Sequence, residues 1–167
     1  MTGSAKSAAA SLGKYVEKNG DIEVIGRKSG AWDVMVPSYW KESVAVSLSI
    51  GDRSMRAEAF FMRSPDERHD KVYKLLLRRN ERAHLWKFAA NEEGDVSLVA
   101  EVPFEAVEGE ALDVLFGSLV ALVDETYVPY MKLGFATALQ DQIRAGGPGL
   151  DRPPWAAKWE ASPDSPT

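Results

Sequence analysis

The chain contains no cysteine and only two histidines in 167 residues. The first lack removes thiol nucleophiles, CxxC redox chemistry, disulfides and every cysteine-ligated zinc site, and it fits a reducing cytoplasm. The second thins the remaining metal options, because a zinc site wants three or four well-oriented ligands. No run approaches the roughly 20 apolar residues of a membrane span. The opening MTGSAKSAAASLGKYVEKNG is too poor in Leu, Ile and Phe to form a signal-peptide core. Positive charge is also short, with 20 basic against 25 acidic residues and a net charge of -5. A nucleic-acid binder needs a concentrated positive surface, so this balance argues against one. Phosphate-binding glycine loops and the GxSxG and SxxK nucleophile motifs are missing as well. The expectation is a soluble cytoplasmic protein with no membrane or nucleic-acid partner and no cofactor.

What is present supports one ordinary globular domain. Hydrophobic residues make up 45% of the chain, and five Trp, six Phe and five Tyr supply large core side chains. The domain is expected over residues 5–144. From 145 the composition shifts to GGPGLDRPPWAAKWEASPDSPT, read as a largely disordered tail with Trp155 and Trp159 as docking elements. Charge is unevenly placed: 63–82 holds seven basic and four acidic residues, whereas 89–113 holds eight acidic and no basic one.

Periodicity orders the rest. A short helix through Leu12, Tyr15 and Val16 stops near Asn19-Gly20. DIEVIG and AWDVMVP read as a hairpin turning over Gly26 to Gly30. Val44, Val46, Leu48 and Ile50 alternate with small polar residues, the period-two mark of a half-buried strand. In the next strand Ala57, Ala59 and Phe61 face one way and Arg56, Glu58, Phe60 and Met62 the other, so its end is apolar on both sides. LWKFAANEEGDVSLVAEVP reads as another hairpin turning at Asn91 to Asp95. Leu112, Leu115, Phe116, Leu119, Leu122 and Val123 then form a helical stripe from about Gly109 to Tyr127, with Pro129 expected to kink or restart it.

The stretch FFMRSPDERHDKVYKLLLRRN concentrates Asp66, Glu67, His69 and Asp70, four groups that could ligate a metal or exchange protons. Helix initiation explains them more simply. Ser64 suits an N-cap, Pro65 the first helical position, and Glu67 the capping-box spacing. Carboxylates in a first turn also complement the helix dipole.

Taken in order, AFFMRSPDE, VYKLLLRRN, HLWKFAANEEGDVSLVAEVPF and ETYVPYMKLGF resemble the YbjN family in its actinobacterial-type branch, from roughly Ser43 to Ala138. That family is described as bacterial sensory transduction regulators. The resemblance implies an α+β fold similar to type III secretion chaperones, a curved antiparallel sheet with helices packed on it, and it brings no catalytic residue. It also implies work by dimerisation and by exposed apolar surface that holds a protein client. The leading expectation is therefore a non-enzymatic homodimer with a regulatory or chaperone-like role. Its candidate partner surface comprises Phe60, Met62, Trp86, Phe88, Trp155 and Trp159. The alternative is a small-molecule sensor with a ligand on a sheet face walled by Trp32, Trp40 or Trp86. An enzyme would require Asp66, Glu67, His69 and Asp70 to converge in a pocket.

Overall fold

Alternation decides the architecture. Trp32, Val34 and Val36 are buried in β2 (Ala31–Ser38) while the alternate positions Asp33 and Pro37 are exposed and Met35 half-buried, and the same in-out rhythm runs through β3 (Glu42–Ile50) and β4 (Ser54–Met62). Side chains alternate across a strand, so each contributes one apolar row to a common core. The computed structural model describes residues 3–156. In it, β1 (Glu23–Lys28), β2, β3, β4, β5 (Lys87–Ala90) and β6 (Val96–Pro103) form one antiparallel sheet in the order β1-β2-β3-β4-β6-β5. This is the expected α+β fold.

Helix α2 (His69–Arg82) carries the chain from the end of β4 to the edge strand β5, and the β5–β6 hairpin then returns β6 to lie beside β4. Helices α1 (Gly3–Lys18) and α3 (Gly109–Gly134) pack on the inner face, their rings meeting where Tyr15 stacks on Phe116 at 5.9 Å. Burial and an Asp113 acceptor push the Tyr15 hydroxyl up to about 12. The short helix α4 (Ala136–Arg144) follows α3.

Four expectations need correction. Helix α3 runs through Pro129 and ends at Gly134, so the break comes later than the proline suggested. Helix α2 starts at His69, not Pro65, and its N-cap is Arg68 in the left-handed region at φ 52°, with no side-chain cap. Met62 does not share the outer face with Phe60, because a bulge between them sets Met62 opposite the buried Val96 and turns it onto the core. The tail is placed as far as 156: Gly149 and Pro153 are buried and a turn bonds the Asp151 N–H to the Pro148 carbonyl at 3.1 Å. Trp159 lies outside the described residues.

Outer-face positions of the sheet are exposed or half-buried throughout. Asp33 and Ser47 pair across β2 and β3 at 2.7 Å, and Arg56 reaches Glu58 and Glu101 at 3.5 and 3.6 Å. Phe60 stands on this face 48% exposed. Among the described residues no helix packs over it.

Candidate partner-binding surface

The β2–β3 turn, Ser38 to Glu42, has no glycine, yet Glu42 takes a left-handed φ of 66°. Such a conformation persists only when surroundings hold it, and here α3 does so through Asp124. Its carboxylate accepts the Ser38 hydroxyl at 2.8 Å and the Tyr39 and Trp40 N–H groups at 3.2 and 3.1 Å. Trp40 then stacks on Tyr127 of α3, centroids 5.3 Å apart and planes within 8°. With Trp40 turned inward, Tyr39 is left 57% exposed, edge-on to Trp40.

Lys41 completes this corner. Its ammonium donates to the Phe61 carbonyl and sits 5.0 Å from the Phe60 ring centroid, within cation–π range. Burial disfavours its charge and pushes the group down to about 8. Trp155 reaches the same turn from the C-terminal segment, donating its indole N–H to the Tyr39 carbonyl at 2.6 Å. Phe60, Tyr39, Lys41 and Trp155 thus gather around one end of the open face.

Two proposed surface residues belong elsewhere. Trp86 is 1% and Phe88 7% exposed. Trp86 donates to the Leu115 carbonyl of α3 at 2.8 Å, and Phe88 meets Phe61 edge-on at 5.3 Å. Two residues apart along the chain, they share one face, and that face is the core and not the expected partner surface. Nor do the three tryptophans of the sensor reading share a wall. Trp32 borders a cleft beside α1, Trp86 another between α2 and α3, and Trp40 is stacked on Tyr127.

The carboxylate and histidine cluster disperses into loop anchoring. Asp66 binds the Arg63 guanidinium through both oxygens, at 2.6 and 3.1 Å, which lowers its pKa. Glu67 accepts the Thr137 N–H at 2.7 Å, capping α4 rather than α2, and this lowers its pKa too. The N–H groups of Asp66 and Glu67 converge on the Gly134 carbonyl at 2.9 and 3.2 Å. Pro65 lies so close to Gly134 that a Cβ there would stand 2.7 Å from the proline Cβ. Tyr130 donates to the Arg63 carbonyl at 2.9 Å, and the Arg63 guanidinium lies 4.3 Å over Phe135. His69 faces Tyr73, and Asp70 is exposed in the first turn of α2. No group of three or more His, Asp or Glu converges among the described residues, so Asp66, Glu67, His69 and Asp70 do not share one pocket.

The fold and surface define an α+β protein with one sheet face packed under helices and the other open at an aromatic corner. The chain belongs to the YbjN family, described as "Putative bacterial sensory transduction regulator", which matches residues 16–128. It is 35% identical over 107 residues to an uncharacterized protein of Mycobacterium tuberculosis and 34% identical over 109 residues to one of Mycobacterium leprae. These alignments cover 64% and 65% of this chain but 58% and 59% of those proteins, so it spans under two thirds of their length. A solved chain in the heterodimeric complex ExoU-SpcU from the type III secretion system of Pseudomonas aeruginosa matches with a TM-score of 0.42 and 17% identity. That match covers 57% of this chain and 78% of the other. No helix among the described residues is long and apolar enough to cross a membrane.

Proposed function

We propose that this chain is a non-enzymatic cytoplasmic regulator that works by protein–protein contact, in a regulatory or chaperone-like role, through the open sheet face and its Tyr39–Lys41–Phe60 corner. The observation that carries the reading is Phe60. A phenylalanine left half-exposed on a sheet face, beside an exposed tyrosine and a lysine that sheds its charge easily, is apolar surface without cover. Membership of a family described as transduction regulators agrees with contact rather than turnover. The occupant proposed first is a second copy of the chain, which brings the same uncovered face and can pair with it about a twofold axis.

A photo-crosslinking phenylalanine analogue at position 60 tests this, with the same analogue at the exposed Leu77 of α2 as control. Position 60 is expected to give a dimer-sized adduct in the purified protein, and position 77 none. A monomer by light scattering at tens of micromolar with no adduct removes the homodimer. If native lysate then gives no position-60 adduct either, the contact reading falls with it.

A further inference from the structure

We infer that the outer edge of β1 is an interface between two copies of this chain, β1 pairing antiparallel with β1 about a twofold axis so that the two sheets join edge to edge. A sheet edge presents a row of unpaired backbone groups that another strand can take up, and folds usually close it. The two edges of this sheet differ. On β5 the Asn80 carboxamide stands where a next strand would: its oxygen accepts the Phe88 N–H at 2.7 Å and its nitrogen donates to the Phe88 carbonyl at 3.1 Å. On β1 no side chain does this. Among the described residues the β1 backbone bonds into β2 and to no other group, and five of its six residues are exposed, including Ile25 at 55% and Val24 at 39%.

An open edge alone would fit any extended chain. The sequence of β1, EVIGRK, selects its own copy. Run antiparallel against itself about a point between Ile25 and Gly26, it sets Glu23 of each copy opposite Lys28 of the other, and Val24 opposite Arg27. Among the described residues neither Glu23 nor Lys28 has an ion-pair partner in its own chain. Opposite charges directly across a strand pair attract and like charges repel. The faces must match as well. Residues five apart on a regular strand point to opposite faces, but the bulge between Val24 and Gly26 corrects this. Glu23 lies opposite Met35 and Lys28 opposite Ala31, on the outer face of β2, whereas Val24 lies opposite Val34 and Arg27 opposite Trp32, on the inner face. A twofold axis perpendicular to the sheet keeps each face on its own side, so both kinds of pair meet on a shared face. A bulge ordinarily spoils an edge for pairing; about this axis the two bulges face each other and the register holds on both sides of them. The contact leaves the Tyr39–Lys41–Phe60 corner of both copies uncovered, so it stands apart from the Phe60 reading.

The test is sedimentation equilibrium of the full chain carrying Phe60→Ser, which removes the face contact and leaves the edge. A concentration-dependent dimer is expected, with the β1 amide hydrogens exchanging more slowly as the dimer fills. Adding Glu23→Lys should weaken that dimer ~10-fold or more, because two symmetric pairs turn from attraction to repulsion, and Lys28→Glu should do the same. Glu23→Lys together with Lys28→Glu should restore it, a recovery that a change in net charge or a folding defect would not give. The proposal is overturned if the Phe60→Ser chain stays monomeric throughout, if either single reversal dimerises as tightly as its parent, if the double reversal does not recover, or if the β1 amides exchange alike in monomer and dimer. Each of these outcomes leaves the position-60 adduct to be judged by itself, and a missing adduct leaves this dimer standing.

Discussion

Two loops of this molecule are pinned to the same helix by opposite means. The Arg63–Arg68 loop brings two N–H groups to the Gly134 carbonyl and spends its carboxylates on Arg63 and the α4 terminus. The Ser38–Glu42 turn receives a carboxylate from α3, Asp124, and tucks one aromatic inward while leaving another outside. The charge-dense loop is thus wholly occupied in holding the α3–α4 joint. The chemically plain turn carries the exposed surface. Density of ionisable residues therefore marks anchoring here, and half-exposed aromatics mark the uncovered face, the proposed contact surface.

Among the contacts that pin the two loops, the largest effect should come from the single group that holds the turn. Asp124→Ala leaves a hydroxyl and two backbone N–H groups without their acceptor, and a loss of about 2–3 kcal/mol is expected in urea unfolding. The tryptophan emission should shift to longer wavelength as Trp40 leaves Tyr127. A loss under about 0.5 kcal/mol would mean that the Trp40 stack alone holds the turn.

The matching break in the other loop is Gly134→Ala, expected to cost about 2 kcal/mol because the new methyl meets a rigid proline ring at 2.7 Å. Gly117→Ala on the same helix meets nothing within 4 Å. It should stabilise by about 0.5–1 kcal/mol through helix propensity. Opposite signs for two identical substitutions on α3 would locate the cost in the Pro65 contact. Equal signs would remove it.

How far the sequence foresaw these loops follows from which partners are local. Strand alternation is local, so β2, β3, β4 and β6 could be read from it, as could the apolar stripe of α3. The start of α2 could not. Ser64, Pro65 and Glu67 have capping-box spacing, but Asp66 and Glu67 find their acceptor in Gly134, far along the chain, and that contact frees the loop from helical geometry. Pro129 fails to end α3 for a similar reason: Tyr127 and Tyr130 on either side of it are held by Trp40 and by the Arg63 carbonyl. The Phe60/Met62 bulge is likewise a property of the pairing with β6. Of the candidate surface, Phe60 was readable as two-sided apolar character; Tyr39 was not, because nothing in SYWK tells which aromatic turns in.

A third prediction concerns charge within the turn. Lys41 is pushed down to about 8 from an ordinary 10.5, so between those values the unfolded chain binds more protons than the folded one. Stability should therefore rise as pH goes from 8 to 9, by up to about 1 kcal/mol after allowing for partial exposure. The buried tyrosines, raised above 10 in the folded state, oppose this as the unfolded phenols begin to ionise toward pH 10, so the rise is read below pH 9. Lys41→Met should flatten the slope. An unchanged slope would place the titration on another group and detach Lys41 from the comparison.

The smallest expected effect is the most telling about function. Phe60→Ser removes an aromatic that is half in solvent and outside the core, with the Lys41 ammonium 5.0 Å from its ring, so folding stability should fall by no more than about 1 kcal/mol. Phe61→Ser, one residue on and fully buried against Phe88 and Tyr130, should cost about 3–5 kcal/mol. If Phe60→Ser lowers self-association measured by sedimentation while leaving the unfolding midpoint in place, its role is contact with a partner. If instead it destabilises the monomer by several kcal/mol, the outer face is covered within the chain itself and no longer qualifies as a docking surface. Neighbouring phenylalanines on opposite sides of one strand thus separate packing from recognition.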